Sequence, residues 1–469
     1  MTARTDPPPQ FAYQAAYRHL HALLDADADA RRRLPSLRRL ADELQVSVPT
    51  IQYAYALLER EGKVVAVPRS GYFPAAGRLQ PAWRGENRLD AIYVNARRPG
   101  MLALSSDAPA LLLSLDHPLR AAERILARED ARRQPPFPEP FGAQALREAL
   151  ARRHADAPAG WRAADVHIAP DWRGALDTAL DVLGLGGCAA LVEMPCSWAL
   201  VRVLQARGMR IVPLPVRGRG ALDVDAAAAL LAREPIRCAL LSSGVGVPGG
   251  TAPGADEQAA LAALLARRGV WLFENDRYGD LYFGAAPSRY RDHADPERLI
   301  VYSGFDKLVG GEAPHGYLLS RGDTARRLDG AWLARAFRSA PLRERALARL
   351  IETGKLAHHA GRLRHALADR MTRMHALLRA EAADLFEITP PRGGAAFWLP
   401  ARDAGIDMGR VCDTLLAQRI VIAPGEVFGT DGAFRHCLRL SYTVDWSSDI
   451  GGAIRALASA VRTQARAAR

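Results

Sequence analysis

Residues 35–73 read PSLRRLADELQVSVPTIQYAYALLEREGKVVAVPRSGYF, and their apolar spacing decides how the front of the chain folds. Leu37, Leu40, Ala41 and Leu44 fall at i, i+3, i+4 and i+7. Ile51, Ala54, Tyr55 and Leu58 repeat the interval, so each set lays one stripe along a helix. Ser36 and Ser47 stand where an N-cap hydroxyl satisfies the first free amides, and Pro49 falls in a first turn that has no use for its missing N–H. Gln45-Val46-Ser47 is the turn between the helices. After Gly62, the run Lys63 to Val67, the Pro68-Arg69-Ser70-Gly71 turn and Tyr72-Phe73 predict a two-stranded wing that could rest on a minor groove. Helix, turn, helix and wing in that order read as a winged helix-turn-helix, which sets its second helix into a major groove; the alternative is a three-helix protein-interaction module.

That segment is a small part of 469 residues, 49% of them hydrophobic, enough to bury a large core and more than one domain. The net charge of +12 fits an anionic partner, but it is diffuse: residues 1–73 hold ten Lys/Arg against eight Asp/Glu, only +2. The five cysteines, Cys188, Cys196, Cys238, Cys412 and Cys437, form no CxxC pair and read as reduced thiols. The start, MTARTDPPPQ, lacks an apolar signal region, and no uninterrupted apolar run is long enough to span a bilayer. We therefore expect a cytoplasmic protein that does not engage membranes.

Residues 74 to about 105 carry Pro74, Pro81 and Pro99 with arginines at 78, 84, 88, 97 and 98. They read as a basic linker that either brushes DNA or runs as a solvated spacer. Beyond it, β-rich runs alternate with Ala/Leu/Arg-rich helical stretches: Ala189 to Glu193, Arg210 to Val216, Cys238 to Ser243, Val270 to Glu274, Leu299 to Phe305 and Gly316 to Leu319. The alternation predicts a doubly wound α/β domain. Residues 323–380 read as helices, and the C-terminal part, with strands such as Cys437 to Tyr442, as a smaller α+β domain. The expected division is a head over 1–75, a linker over 76–105, a large domain over 106–330 and connecting helices with a small domain over 331–469.

Lys307 is the first residue with a chemical reading. The chain has three lysines, Lys63, Lys307 and Lys355, among 63 basic residues, so a lysine just after the strand Leu299 to Phe305 is not what composition supplies. Schiff-base chemistry needs an amine that can lose its proton, which arginine cannot do. The alternative reading is a buried lysine paired with Asp306 or Asp276.

The head resembles the GntR family of bacterial regulators, whose pattern runs LPSxRxLAxxLxVSRxTVxxAYxxLxxEG followed by a GSG wing. Arg38, Ser47, Thr50 and Gly71 match. The resemblance implies DNA contacts from Arg38 and Thr50, with Ser47, Arg69, Ser70 and Gly71 at the same surface. The arginine that follows the serine in the family is Val48 here, which removes a guanine or phosphate contact and should change sequence preference. Gln52 and Tyr53 are the remaining polar choices near the start of that helix; Gln52 either pairs with an adenine edge or is simply solvated.

The rest resembles the aminotransferases of fold type I that bind pyridoxal 5'-phosphate. FENDRYGDLYF (273–283) is similar to EDDPYGELRY, SGFDKLVGGEAPHGYLL (303–319) to GSFSKxxxPGxRxGYLV, and CLRLSY (437–442) to RLSF. VEMPCSWAL (192–200), GKLAHHAGRLRHAL (354–367) and GGAAFWLP (393–400) also fit. A GntR-type reader fused to such a body is the MocR group of transcriptional regulators. The implied fold is α/β: an N-terminal winged helix-turn-helix, a fold type I aminotransferase-like large domain and a small C-terminal α+β domain.

Roles carry over unevenly. The resemblance puts Lys307 on the Schiff-base lysine, Tyr278 on the tyrosine that bonds the cofactor's phenolic oxygen, and Arg439 on the arginine that takes a substrate carboxylate. The carboxylate expected against the pyridinium nitrogen aligns with Asn275, with Asp276 adjacent. The phosphate cup is degraded: its helix start is Asp171-Trp172-Arg173, the hydroxyls flanking the lysine are Gly304 and Asp306, and the phosphate-binding arginine is Pro314. A carboxylate at that helix start opposes a dianion, while Arg173 and His315 are candidates to compensate. Val247 replaces an asparagine, and Phe137 a tyrosine that reaches into the other subunit.

Three functions follow as expectations. The first is a homodimeric regulator of a double-stranded DNA operator whose aminotransferase-like body senses a small effector, a vitamer or amino acid, with little or no transaminase turnover. The second is an active pyridoxal phosphate-dependent aminotransferase with a DNA-binding appendage. The third is a structural repressor that uses the old enzyme fold only to space two DNA heads. Two heads on one dimer call for repeated or inverted half-sites.

Overall fold

The structure, a computed structural model, describes residues 12–26, 33–60, 62–67, 70–75, 87–131, 139–155, 160–217, 220–335 and 339–467. The head comprises α1 (Ala12–Ala26), α2 (Leu37–Leu44), α3 (Val48–Arg60), β1 (Val64–Val67) and β2 (Gly71–Pro74). The two predicted stripes face inward: Leu40, Ala41, Ile51, Ala54, Tyr55 and Leu58 are buried, and Ala16 and Leu20 of α1 complete a core of their own. Both serines cap as expected: Ser36 Oγ accepts from Arg39 N and Ser47 Oγ from Thr50 N, each at 3.3 Å. Gln45 turns the chain at φ 52°, in the left-handed region. The hairpin pairs antiparallel from Val64 with Pro74 to Val67 with Gly71. Tyr55 of α3 stacks on Tyr72 with centroids 4.1 Å apart, which fastens the wing to the recognition helix.

The second half of the stretch expected to be a linker is folded. Helix α4 (Arg88–Asn95) is capped by Asn87, and β3 (Leu102–Ala103) pairs in parallel with Ile420–Val421. Arg88 binds Asp413 at 2.8 Å and Glu426 at 2.5 Å. Arg88 is thus spent on the small domain, whereas Arg97 stays exposed over the ring of Tyr93.

After α5 (Asp116–Asp130) and α6 (Gln144–Arg153), the large domain is built from β4 (Val166–Ala169), α7 (Trp172–Val182), β5 (Ala189–Met194) and α8 (Trp198–Ala206). It continues through β6 (Arg210–Arg217), β7 (Ala221–Leu222), α9 (Val224–Arg233), β8 (Ile236–Ser242), α10 (Ala255–Arg267), β9 (Trp271–Asn275), β10 (Leu299–Gly304) and β11 (Gly316–Leu319). These eight strands form one sheet in the order β4-β11-β10-β9-β8-β5-β6-β7. Strands β5, β6, β8, β9 and β10 run parallel, and β7 and β11 oppose them. Every residue of β5 and β10 is buried, as a sheet covered on both faces requires. One core lies beneath α7 and α8, and the other spans the opposite face and runs into the small domain.

Helices α11 (Gly322–Arg335), α12 (Pro341–Glu352) and α13 (Lys355–Glu381) follow. Helix α11 crosses the expected boundary at 330 and belongs with the sheet, since Trp332 Nε1 donates to Ile168 O at 2.7 Å. The small domain adds β12 (Ala396–Pro400), α14 (Met408–Ala417), β13 (Ile420–Val421), β14 (Ala423–Pro424), β15 (Cys437–Ser441) and α15 (Ile450–Ala467), with sheet order β12-β15-β14. The connections leave β5 for β6 on one side and step from β8 to β10 on the other. A crevice therefore opens at the carboxyl ends of β5 and β8 to β10, where such sheets place ligands. Asn275 closes β9, and Lys307 lies three residues past β10.

Candidate functional site

On the head, the expected DNA-facing residues gather on one surface. Arg38, Ser47, Gln52, Tyr53 and Ser70 are exposed, and Thr50 is half-buried with its hydroxyl 2.7 Å from that of Ser47. The two hydroxyls thus occupy the amino end of α3. Tyr53 packs edge-on against Tyr13 at 5.1 Å, so part of its ring is spoken for. Gly71 lies at φ +101°, and a Cβ there would approach Arg33 Nε to 2.8 Å. Arg69 lies outside the described residues, as does Phe137.

In the body, Lys307, Tyr278 and Arg439 converge, and what they converge on is the carboxylate of Asp107. Lys307 Nζ is 3.0 Å from Asp107 Oδ2 and donates to the backbone oxygen of the same residue at 2.7 Å. Arg439 Nη1 is 3.6 Å from Asp107 Oδ2 and also binds Ser105 O. Tyr278 donates its hydroxyl to Asp107 Oδ1. Burial alone would raise the Asp107 carboxyl, but Lys307 and Arg439 hold it down to about 2. Burial lowers the Lys307 amine, opposed by Asp107.

The alternative reading of Lys307 is half right. Asp306 lies 3.7 Å away, but Asp276 does not reach it. Asp276 points instead to Arg291, 2.5 Å away, in a buried cluster with Glu274. Burial would raise the Asp276 carboxyl, but the Arg291 contact and that of Arg289 at 4.0 Å hold it well below the usual carboxylate range. Asn275 turns its amide oxygen to Arg277 N at 3.3 Å.

The amino end of α7 is closed from within. Asp171 caps it, accepting from Gly174 N at 2.8 Å. Trp172 is buried, stacked on Tyr302 with centroids 6.1 Å apart, and the Arg277 guanidinium lies 4.2 Å over its ring. Arg277 then binds Asp306 at 2.6 Å. Neither expected compensator takes up the cup: Arg173 is exposed, over the rings of Trp172 and Trp198, and His315 is buried beside Arg343. Gly316 lets α7 lie against β11, since a Cβ there would come within 2.3 Å of Trp172 N. Cys196, Val247, Asn275 and Tyr302 enclose only ≈10 Å³, room for no more than one water. A larger cavity of ≈310 Å³ lies between the sheet and the small domain, walled by Glu193, Val247, Gly249, Trp398, Phe434 and Cys437.

Residues 99–447 match the family described as aminotransferase class I and II. The chain belongs to that family. Residues 12–73 match the gntR family of bacterial regulatory proteins, so a GntR helix-turn-helix is fused to a class I/II aminotransferase body, the MocR-type arrangement. The HTH-type transcriptional regulator YjiR of Escherichia coli is 26% identical over 465 residues, 95% of this chain and 98% of its own length. The 2-aminoadipate transaminase of Thermus thermophilus is 25% identical over 389 residues, 81% of this chain and 96% of its own. Among solved structures, the multiple substrate aminotransferase of Thermococcus profundus superposes with TM-score 0.73 at 19% identity, covering 82% of this chain and 96% of that one.

Aminotransferases of class I and II typically bind pyridoxal phosphate, and the residues here do not fit it. The Asp171 carboxylate stands at the amino end of α7, where it holds Gly174 N and opposes a dianion, the Arg277 guanidinium lies over the neighbouring Trp172 ring, and Asn275 offers no anion for a pyridinium nitrogen. Lys307, Tyr278 and Arg439 keep their places but serve Asp107. Sequence reasoning missed Asp107, which lies in a stretch without periodicity, and Arg277, which was visible in FENDRYGDLYF as a charge beside the tyrosine.

Proposed function

We propose that this protein is a DNA-binding transcriptional regulator whose aminotransferase-like body serves as dimerisation and effector-sensing module, without transaminase turnover. The observation that carries the reading is Asp171: its carboxylate takes the Gly174 amide and puts a negative charge at the helix start where a cofactor phosphate would sit. The ≈310 Å³ cavity between the domains supports the sensing role, as a concave site of ligand size at a domain interface. DNA recognition falls to Arg38, Thr50, Gln52 and Tyr53 on the exposed face of α2 and α3, with Ser47, Ser70 and Gly71 placing the backbone. As a dimer, the protein would present two heads to paired half-sites in the cytoplasm.

The test is an absorption spectrum of the full-length protein titrated with pyridoxal phosphate, beside Lys307→Ala. The expected result is no visible aldimine band in either. A band in the wild type that is lost in the variant, together with bleaching by amino acids, would establish the aminotransferase reading instead.

A further inference from the structure

The cluster around Lys307 holds three cations, Lys307, Arg277 and Arg439, and two carboxylates, Asp107 and Asp306, leaving one positive charge in excess. The cations form the floor and the acids the mouth. Side chains of Lys307, Arg277 and Arg439 are 7, 8 and 5% exposed, against 27% for each aspartate. Nε of Arg277 and Nε of Arg439 are buried donors with no partner among the described residues, against one buried acceptor in the cluster without a partner, Asp306 Oδ1. A buried donor left unmade is costly, and an added oxygen acceptor relieves it. Excess positive charge and spare guanidinium donors both point to a further anion.

Asp107 also ties down backbone. Lys307 binds its carbonyl and Arg439 that of Ser105, so two cations hold a strap that runs from Leu104 to Leu115. The strap is anchored upstream by the bond from Ser441 N to Leu104 O at 2.8 Å. Farther back it continues through β3 to Gly100, whose backbone touches the head: a Cβ on Gly62 would lie 2.1 Å from Gly100 Cα. Lys307 and Arg439 therefore hold a segment that leads directly to the DNA-binding head.

We propose that Asp107 is a resident stand-in for a small carboxylate ligand, and that a free carboxylate takes its place on Lys307 and Arg439 and releases the strap. The proposal rests on the sensor reading above, places the effector at the Lys307 cluster, whose residues do not line the ≈310 Å³ cavity, and adds its chemical class and the segment that responds. Asp107 is in effect a tethered acetate, so the cations already select the group that competes with it. Removing the tether removes the cost of displacement, and apparent affinity rises by the inverse of the fraction of open state.

The experiment uses full-length wild type, Asp107→Ala and the isosteric Asp107→Asn, each with sodium acetate or sodium glutarate against sodium chloride at equal ionic strength. Calorimetry reads binding, and hydrogen exchange reads peptides covering 104–115. Wild type is expected to exchange faster across the strap when a carboxylate is added. Both variants should exchange fast without it and bind the carboxylates roughly tenfold tighter or more. Equal affinity in wild type and both variants, or strap exchange that no carboxylate alters, would overturn the proposal and leave the sensor reading standing. An aldimine band that pyridoxal phosphate raises in Asp107→Ala alone would do the reverse. It would sink the cofactor-free reading and leave Asp107 as the group that closes the site.

Discussion

Gly62, at the end of the recognition helix, and Gly100, just before β3, meet backbone to backbone, so that a side chain on Gly62 would coincide with Gly100 Cα. Gly62 also holds φ +69°, where L residues are strained. The head thus docks on the body through a contact that tolerates no side chain. Gly62→Ala should separate head from body and, through backbone strain, cost the head about 1–3 kcal/mol. Calorimetric unfolding would then show an earlier head transition ahead of an unchanged body transition. A single transition at the wild-type temperature would mean the contact carries no energy.

The head surface predicts a graded response to substitution. Arg38→Ala removes an exposed charge that supports no fold contact among those described, so it should weaken DNA binding, reduce its salt dependence and leave stability alone. Thr50→Ala and Ser47→Ala each break the 2.7 Å hydroxyl pair at the start of α3. Ser47→Ala loses the cap as well and should cost about 1 kcal/mol of head stability. Gel-shift titrations at two salt concentrations, on a fragment selected for binding, separate the effects. Unchanged affinity in both Arg38→Ala and Thr50→Ala would place the DNA interface elsewhere.

The head was legible from residue 35 onward because what builds it there is local: stripes, caps, turn and wing follow one another within forty residues or so, whereas α1, whose Ala16 and Leu20 complete the core, was not read. Six of the eight strands of the sheet were legible for the same reason, as buried runs bounded by turns, whereas β4 and the two-residue β7 were not read. Asp107 was not, because its contact with Lys307 joins residues 200 apart and leaves no periodic trace. The choice between Asn275 and Asp276 stayed open in sequence because neighbours on a strand end point opposite ways. Only the position of Arg291 shows that the Asp276 carboxylate is engaged elsewhere, and it lies 15 residues beyond Asp276 in the chain. The fate of the phosphate cup was readable at Asp171, since an aspartate before a helix caps it; that Trp172 and Arg277 fill the remaining space was not.

Asp276 is structural, and its cluster can be tested as such. Arg291 gives Glu274 contacts from N at 2.8 Å, Nε at 3.0 Å and Nη2 at 2.9 Å, while reaching Asp276 at 2.5 Å and His154 Nδ1 at 2.7 Å. Arg291→Met would leave Glu274 buried without its cation and Asp276 with only Arg289 at 4.0 Å, and should destabilise the body by roughly 3–5 kcal/mol in urea unfolding. Arg291→Lys keeps the charge without the planar fork and should lose less. A Met variant as stable as wild type would show that water or proton uptake already neutralises the cluster.

Acid should unfold the protein through two adjoining windows. Burial, then Arg343, pulls the His315 imidazole from its usual 6.5 down to about 4. Between those values the unfolded chain binds a proton that the folded chain refuses, so stability falls as pH falls from 6.5 towards 4. Asp107 acts next. Its carboxyl, held at about 2 against a usual 3.8, lends stability that is complete above 3.8 and is lost as pH drops towards 2. The His315 window corresponds to about 3 kcal/mol, so His315→Gln should flatten the loss between pH 6.5 and 4 by an amount of that order. Asp107→Asn should leave that range as it is and flatten the lower one. Urea unfolding at intervals from pH 7 to 2 measures both. If His315→Gln keeps the wild-type slope, the acid loss belongs to His154, His167 and His359, whose imidazoles burial also lowers.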